Sequence, residues 1–382
     1  MRIIADAKIP AVLSTFGQLG NVRLLDSERI HRGSVGNADV VLVRSETRVD
    51  ARLLEGTRVR FVGSATIGQD HVDLDYLREA RIGFANAPGS NADSVTQYVV
   101  AALLFLGGRK GLKLGGKTLG VVGVGSIGSR VVQAARALGM EVILNDPPLA
   151  RLTSSPDFRP LDALLDADFL TLHVPLVRGG TDPTWHLFDE KRLATFKPAT
   201  ILINTSRGAV VETGALKEFL SRGRLEAAVV DVWENEPAID IDLMALATIA
   251  TAHIAGYALE GKLRGAHMLY EAVCRHFDRS PVACRGAVPA THEAAEVDLS
   301  GVADPEEVLR RAVKACYDIQ ADDVRLRRLT RMPPAQRAGY FRRLRKNYPV
   351  RHEFSTLRVI LSDQNRSCGE TLRQLGFQTG EP

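Results

Sequence analysis

The chain has 382 residues, of which 45% are hydrophobic and 25% charged, and its formal net charge at pH 7 is +4. This length and composition are typical of a globular protein with two or three domains. No apolar run approaches the ~20 residues that cross a bilayer, and the start MRIIADAKIP lacks the apolar core of a secretion signal. The four cysteines show no C-x-x-C spacing, which a metal cluster would favour. These features argue against a membrane protein and predict a cytoplasmic protein without a metal site.

Residues 1–98 are predicted to form a small α/β domain. Short apolar runs predict strands at 2–5, 38–43, 59–63 and 82–85, with helices between them. Alternating strands and helices indicate a parallel sheet, whose ligands bind beyond the carboxyl ends of the strands. That edge carries the candidate ligand residues Arg44, Ser45, Thr66, Ile67 and Gly68. The segment 66–68 is equally typical of an ordinary turn between a strand and a helix.

A second predicted domain, residues 99–257, is organised around a glycine motif. The run 119–122 predicts a buried strand, and the sequence G-V-G-S-I-G follows it with Gly123, Gly125 and Gly128. Glycines permit a sharp turn, close approach of the backbone to a diphosphate and close packing of helix on strand, and the helix N-terminus attracts the diphosphate. Asp146 follows at about the spacing of a carboxylate that binds both ribose hydroxyls. Because a carboxylate there repels a 2′-phosphate, the pattern predicts NAD rather than NADP.

Three later strands of this domain are predicted to end in charged residues. The strands at 200–204, 227–232 and 249–253 bring Arg207, Glu236 and His253 to the edge where the nicotinamide must lie. A histidine suits removal of a hydroxyl proton while hydride leaves the carbon, a carboxylate beside it orients the ring, and an arginine clamps a substrate carboxylate. A single histidine at a strand end is more often structural, and a single arginine is as often an ordinary surface residue. Together they predict a catalytic set.

Several segments resemble the D-2-hydroxyacid dehydrogenases. They are the glycine motif, 173–176 (HVPL), 204–211 (NTSRGAVV), 231–237 (DVWENEP) and 253–257 (HIAGY). The resemblance implies that His253 is the acid/base, Glu236 its partner, and Arg207 the residue that binds the substrate carboxylate and the transition state. It implies a cofactor site made of Gly123, Gly125, Ser126, Ile127, Gly128, Asp146, Val174, Thr205, Ser206, Asp231 and Gly256. Within that set Asp146 would contact the ribose, Ser126 and Ile127 the pyrophosphate, and Asp231 the nicotinamide amide.

Further segments narrow the resemblance to members of this family that oxidise 4-phospho-D-erythronate. They are 42–45 (LVRS), 61–66, 68–73, 255–262 and 344–348 (LRKNY). This resemblance implies NAD-dependent formation of (R)-3-hydroxy-2-oxo-4-phosphooxybutanoate, a step of pyridoxal 5′-phosphate biosynthesis. It adds Tyr257 to Arg44, Ser45, Thr66, Ile67 and Gly68 as a substrate-binding residue. The sequence departs from the pattern at 7–9, where Ala7 begins the run AKI, at Ser90 and Ser206, each in place of a cysteine, and at Val174, which has no hydroxyl to offer the cofactor.

The resemblance also implies a domain organisation. We expect an α/β protein with two Rossmann-like parallel-sheet domains, the first flavodoxin-like and completed by a return helix at 258–280. A linker over 285–296 would lead into a C-terminal α/β dimerisation domain, residues 285–382, so that the protein would be a homodimer.

The segment 325–351 is rich in arginine and lysine, and its role stays open at this point. It is either a solvated helical face or a source of counter-charge for a substrate phosphate, with Arg345, Lys346 and Arg44 as the candidates. Nucleic-acid binding is disfavoured because no DNA- or RNA-binding motif accompanies the charges. Two functional alternatives also stay open: a dehydrogenase of another D-2-hydroxyacid such as 3-phosphoglycerate, and an NAD-sensing regulator that binds partners through the same fold.

Overall fold

The structure is a computed structural model that describes residues 1–282 and 295–381. The strands are β1 (Arg2–Asp6), β2 (Asn21–Leu25), β3 (Val40–Val43), β4 (Phe61–Ser64), β5 (Gly83–Ala85), β6 (Thr118–Val122), β7 (Glu141–Asn145), β8 (Phe169–Leu172), β9 (Ile201–Asn204), β10 (Ala227–Val230), β11 (Ile249–Ala250), β12 (Ala295–Asp298), β13 (Leu357–Ile360) and β14 (Gln378–Gly380). The helices are α1 (Val12–Phe16), α2 (Arg32–Val35), α3 (Ala51–Leu54), α4 (Leu74–Glu79), α5 (Ala92–Lys110), α6 (Gly128–Ala137), α7 (Pro147–Thr153), α8 (Glu190–Leu193), α9 (Thr213–Ser221), α10 (Ile241–Leu246), α11 (Leu259–His276), α12 (Pro305–Cys316), α13 (Ile319–Arg327), α14 (Pro334–Lys346) and α15 (Cys368–Gln374). Short 3-10 turns lie at Ser27–Arg29, Leu161–Leu164, Gly208–Val210, Arg328–Arg331, Phe354–Thr356 and Asp363–Asn365.

The described residues form two compact units. The first contains residues 1–91 and 257–282, and the second contains residues 92–256 and 295–381. Among the described residues, no helix is both long enough and apolar enough to cross a membrane. Cys274 and Cys368 are buried and Cys316 is half-buried, whereas Cys284 and most of the predicted linker lie outside the described residues. The domain boundaries at 98, 257 and 285 stay predictions.

The first unit is built on a parallel sheet with the strand order β2-β1-β3-β4-β5. Every residue of β3 is buried, as expected for the β-branched run Val40–Val43. Helix α11 packs on the sheet, and the Tyr270 ring meets Phe16 edge-on at 5.6 Å. The four predicted strands form as β1, β3, β4 and β5, but the sequence analysis missed β2 (Asn21–Leu25), because it is a mostly exposed edge strand without an apolar run. Residues that follow β1, β3 and β4 share the carboxyl edge of this sheet.

The second unit contains a six-stranded parallel sheet over residues 118–250, in the order β7-β6-β8-β9-β10-β11. The chain passes from β6 to β7 on one side and returns to β8 on the other side. The carboxyl end of β6 is therefore the topological switch point, where dinucleotides bind in this fold class. The predicted α/β class with two Rossmann-like parallel sheets is confirmed.

Residues 295–381 belong to the second unit and add a small parallel sheet, in the order β12-β13-β14. Its core includes the stacked rings of Phe354 and Phe377, whose centroids are 4.3 Å apart. The linker prediction was wrong at its last two residues, because Ala295 and Glu296 begin β12. Pairing with the apolar strand β13 makes this polar segment a strand, which its own sequence does not indicate.

Candidate active site

The glycine turn after β6 is shaped by two close backbone approaches. Gly123 has φ +87°, and a Cβ there would stand 2.7 Å from the carbonyl oxygen of His173. A Cβ at Gly128 would stand 2.0 Å from the carbonyl oxygen of Gly123. At Gly125, by contrast, a Cβ would meet no protein atom within 4 Å. The fold itself requires Gly123 and Gly128, whereas Gly125 leaves open space beside the turn, as expected where a diphosphate approaches.

Side chains around this turn hold it in place. Arg130 Nη1 donates a hydrogen bond to the Ser126 carbonyl at 2.7 Å, and its Nε pairs with Asp93 at 2.8 Å. Asp146 accepts hydrogen bonds from the backbone N–H groups of Val124 (2.8 Å) and Leu149 (2.9 Å), one on each carboxylate oxygen. Each of these oxygens has a second lone pair for a ribose hydroxyl. Ile127 immediately precedes α6, so the predicted pyrophosphate residues Ser126 and Ile127 lie at a helix N-terminus.

The segments after β8 and β9 meet at a half-buried histidine. His173 Nε2 lies 3.0 Å from Thr171 Oγ1, and its Nδ1 lies 3.4 Å from the hydroxyl of Thr205. Burial lowers the pKa of His173 to about 3, so the ring is neutral at physiological pH. Val174 lies beside the glycine turn, because its Cγ1 would be 2.9 Å from a Cβ at Gly123.

The turn that carries Arg207 is organised by the buried amide of Asn204. Asn204 Oδ1 accepts hydrogen bonds from the backbone N–H and the hydroxyl of Ser206, and its Nδ2 donates to the Arg207 carbonyl at 3.0 Å. Arg207 Nη1 in turn donates to the Ser206 carbonyl at 2.8 Å. The next residue must be Gly208, since a Cβ there would overlap the backbone of Trp233 at 1.9 Å.

Glu236 and His253 form a hydrogen-bonded pair. His253 Nδ1 lies 2.8 Å from Glu236 Oε2, and Glu236 Oε1 accepts a hydrogen bond from the Trp233 N–H at 2.9 Å. Burial opposes ionisation of Glu236, but the charge and hydrogen bond of His253 and the charge of Arg345 outweigh it and hold the pKa of this carboxyl below its usual range. With Nδ1 facing the carboxylate, Nε2 is the ring nitrogen that can exchange a proton with a substrate.

The strand predicted at 249–253 is shorter than expected, because the chain curls around Asp231. The carbonyl of Asp231 accepts the His253 N–H at 2.7 Å, and its buried carboxylate accepts the N–H groups of Ile254 (2.8 Å) and Ala255 (3.0 Å). β11 therefore ends at Ala250, and His253 takes a left-handed backbone with φ 56°. This curl brings the His253 ring to Glu236. The predicted contact between Asp231 and a nicotinamide amide stays a prediction.

The candidate substrate residues of the first unit lie after neighbouring strands. Arg44 follows β3, and its Nε lies 3.1 Å from Asp6, a fully buried carboxylate. Ser45 comes next in the chain. After β4, Thr66 Oγ1 lies 2.9 Å from the Ser64 hydroxyl and donates to the Gly68 carbonyl at 3.2 Å.

Two contacts of the first unit connect candidate residues to side chains that the sequence analysis did not single out. The Ile67 carbonyl accepts a hydrogen bond from the side chain of Asn86 at 2.7 Å. Tyr257 has the ammonium of Lys262 4.6 Å from its ring centroid. These contacts fix the turn after β4 and the start of the return helix.

Two residues of the second unit act on the site without having been predicted. Tyr98 is buried in α5, and its hydroxyl lies 2.7 Å from Thr251 Oγ1, which donates to Asp231 at 2.6 Å. Trp233 Nε1 donates to the Thr251 carbonyl at 2.8 Å. Trp233 lies in a segment that already carried the family resemblance, whereas Tyr98 is one apolar residue among many in α5 and gave no signal.

Comparison with known proteins identifies the family. The model of the D-isomer specific 2-hydroxyacid dehydrogenase NAD binding domain matches residues 105–255, and a domain of unknown function (DUF3410) matches residues 289–376. The chain is similar to the erythronate-4-phosphate dehydrogenase of Chromohalobacter salexigens (46% identity, 99% of this chain and 98% of the relative) and to that of Azotobacter vinelandii (47% identity, 99% and 100%).

Solved structures support the same assignment. The D-lactate dehydrogenase of Aquifex aeolicus, solved with NAD and lactic acid, is 25% identical and matches with a TM-score of 0.60 over 73% of this chain and 96% of that one. The NAD-dependent formate dehydrogenase of Staphylococcus aureus, at 24% identity and a TM-score of 0.60, covers 73% of this chain and 96% of its own and shares the fold. The glycine turn is thus part of an NAD-binding domain, and the chain belongs to the erythronate-4-phosphate dehydrogenase family of D-isomer specific 2-hydroxyacid dehydrogenases.

Proposed function

We propose that this protein oxidises 4-phospho-D-erythronate with NAD to (R)-3-hydroxy-2-oxo-4-phosphooxybutanoate, as a step in the biosynthesis of pyridoxal 5′-phosphate. The hydrogen-bonded pair of His253 and Glu236 in an NAD-binding domain carries this proposal, because it supplies the base that alcohol oxidation needs. The substrate is inferred from relatives that carry that enzyme's name at 46–47% identity over nearly the whole chain.

The residues around the glycine turn fit the cofactor. The open space at Gly125 and the backbone at Ser126 and Ile127 suit the pyrophosphate, and Asp146 suits the adenosine ribose. The remaining cofactor contacts in the proposal come from Val174, Thr205, Ser206, Asp231 and Gly256. NAD, when bound, supplies the hydride acceptor.

The proposed chemistry assigns one task to each charged residue. Nε2 of His253 takes the proton of the 2-hydroxyl as hydride leaves the same carbon. Glu236 holds the ring through Nδ1 and stabilises the imidazolium that forms. Arg207 binds the substrate carboxylate and stabilises charge on the developing carbonyl oxygen.

The substrate phosphate needs a cation, and we assign it to Arg345 and Lys346 in α14. The charge of Arg345 acts on Glu236, so this arginine lies near the catalytic pair. Arg44 of the first unit is the further candidate, but a phosphate there would compete with Asp6 for its guanidinium. Ser45, Thr66, Ile67, Gly68 and Tyr257 complete the proposed substrate site.

A homodimer formed through residues 285–382 and a cytoplasmic location are the remaining parts of the proposal. The homodimer is inferred from the family resemblance, and the cytoplasmic location is inferred from the composition and the spacing of the cysteines. Sedimentation of the full chain over a range of concentrations checks the first, and a monomer at all concentrations would contradict it.

The decisive experiment is NADH formation, followed by absorbance, with 4-phospho-D-erythronate, 3-phospho-D-glycerate and D-lactate. We expect 4-phospho-D-erythronate to be strongly preferred, and His253→Ala to lower its turnover by at least ~10²-fold. The double variant Arg345→Glu, Lys346→Glu should raise the KM for 4-phospho-D-erythronate without weakening NADH binding. Activity only on another acid would keep the mechanism and remove the substrate. NADH binding without turnover of any acid would favour an NAD-sensing regulator.

A further inference from the structure

A carbonyl close to the proposed catalytic histidine is bound by an arginine from the C-terminal part of the chain. Arg351 Nη2 donates hydrogen bonds to the backbone oxygens of Ala255 (2.5 Å) and Ser94 (3.1 Å). Arg351 is only 6% exposed, and Ala255 stands two residues after His253. Arg351 lies within residues 289–376, which match a domain of unknown function, so this part of the chain contacts the loop that carries the proposed acid/base.

The side chain of Arg351 is itself held in place. Its guanidinium carbon lies 4.3 Å from the centroid of the Tyr317 ring, a cation–π contact, and the Tyr317 hydroxyl donates to Asp322 at 3.1 Å. Two residues after Arg351, Glu353 accepts a hydrogen bond from the Ser94 hydroxyl at 3.0 Å. Arg351 and Glu353 thus bind the carbonyl and the hydroxyl of the same serine, so Arg351 cannot swing away without breaking several buried contacts.

Asp231 and Arg351 hold the two sides of one short loop. The carboxylate of Asp231 accepts the N–H groups of Ile254 and Ala255, and Arg351 donates to the carbonyl of Ala255. Both side chains are buried, and hydrogen bonds to buried charged groups are the strong ones. A loop whose N–H and C=O groups are both bound in this way keeps its peptide planes fixed. The neighbouring His253 therefore keeps its left-handed backbone and its 2.8 Å contact with Glu236.

We propose that Arg351 is a positioning residue for the reaction: it orders the 253–255 loop so that His253 and Glu236 stay aligned. The proposal rests on the proposed function, in which His253 is the acid/base. It gives residues 295–381 a part in catalysis that does not depend on any contact with the substrate.

The test compares Arg351→Ala with Arg327→Ala. Arg327 is a matched control because it lies in the same C-terminal part of the chain and also donates to two backbone carbonyls, those of Met244 (2.9 Å) and Ala247 (2.7 Å). Those carbonyls belong to the segment before β11 and not to the 253–255 loop. We expect Arg351→Ala to lower kcat by ~10- to 100-fold, because small misplacements of a catalytic group are costly, with NADH affinity retained. Both variants should lower Tm to a similar extent, but Arg327→Ala should not show that loss of kcat. Added guanidinium ion should partly restore the kcat of Arg351→Ala.

A readout independent of turnover separates this proposal from the proposed function. Amide hydrogen exchange at Ile254 and Ala255 should be faster in Arg351→Ala than in Arg327→Ala. A wild-type protein without turnover would overturn the proposed function, and the exchange rates would still decide whether Arg351 orders the loop. Equal exchange in the two variants, or equal losses of kcat, would overturn the positioning role. Should Arg351→Ala not fold, Arg351→Lys replaces it, since a lysine keeps the charge but lacks the fixed fork of donors.

Discussion

Three acids that follow β10 show how differently neighbouring carboxylates are used. Asp231 binds the loop that carries His253, and Glu236 binds the imidazole itself. Between them, Glu234 lies 2.8 Å from His186 Nε2 and accepts the Thr213 N–H at 3.0 Å. Burial opposes ionisation of Glu234, but the hydrogen bonds from Thr213 and His186 lower its pKa. Of these two histidine–glutamate pairs, only His253 with Glu236 belongs to the proposed site.

The lowered pKa of His173 predicts a pH-dependent stability. Its folded pKa is about 3, against a usual value of 6.5. Between these values the unfolded chain binds a proton that the folded chain does not, so stability falls as pH falls, by up to ~1.4 kcal/mol per pH unit for this group. We expect His173→Asn to flatten the decline of Tm between pH 6.5 and 4.5. Above pH 7 the Tm values of the wild-type protein and of His173→Asn should change in parallel with pH. If their Tm values also changed in parallel between pH 6.5 and 4.5, the prediction would be contradicted.

The sequence singles out residues whose role is local. Gly128 could be predicted because its close backbone approach, to the Gly123 carbonyl, lies within the turn itself; Gly123 could be predicted from the spacing of the glycine motif, although the atom it approaches is the distant His173 carbonyl oxygen. His253 and Glu236 were assigned to the same edge, and the structure brings them together at 2.8 Å. Arg351 and Tyr98 could not be predicted, because their partners are far along the chain and only the folded unit brings them together.

Among the elements, the turn between β6 and α6 links the fold most directly to cofactor binding. A Cβ at Gly125 meets no protein atom within 4 Å, so Gly125→Ala should leave Tm nearly unchanged. The added methyl group would occupy space predicted for the pyrophosphate, and we expect the Kd for NADH to rise by at least ~10-fold, about 1.4 kcal/mol. Fluorescence titration with NADH and thermal unfolding measure the two effects.

Gly128→Ala is the control for that prediction. Its Cβ would stand 2.0 Å from the Gly123 carbonyl oxygen, so this substitution should lower Tm as well as NADH affinity. Wild-type NADH affinity in Gly125→Ala would mean that the open space is not used by the cofactor.

Strands with a strong apolar pattern could be predicted from the sequence. Strands whose existence or length depends on contacts with neighbouring segments could not. The run Thr118–Val122 is buried from its second residue and forms β6 as expected. The exposed strand β2 exists only because β1 pairs with it. β11 has only two residues, because the chain turns after it and His253 takes a left-handed backbone that a strand cannot contain.

At the scale of the whole molecule, the C-terminal residues are integrated into the NAD-binding unit. Asp323 in α13 accepts the N–H of Ala250 at 2.7 Å and binds Arg327 at 2.7 Å. This carboxylate covers a backbone donor of the edge strand β11, which would otherwise be open to pairing with another chain. Part of the basic segment 325–351 is used within the protein: Arg327 and Arg351 bind backbone carbonyls, and Arg325 pairs with Asp322 at 2.6 Å.

We expect residues 92–256 and 295–381 to unfold as one cooperative unit. In native-state hydrogen exchange, amides of β9, β10 and α13 should then share one opening free energy. Asp323→Ala removes the acceptor of the Ala250 N–H and should lower that free energy by about 1–3 kcal/mol in all three elements alike. Asp363→Ala is the matched control, because the side chain of Asp363 is 93% exposed and its ion pair with Arg366 should contribute little. If α13 instead opened at a lower free energy than β9 and β10, residues 295–381 would be an independent domain that only rests on the NAD-binding sheet.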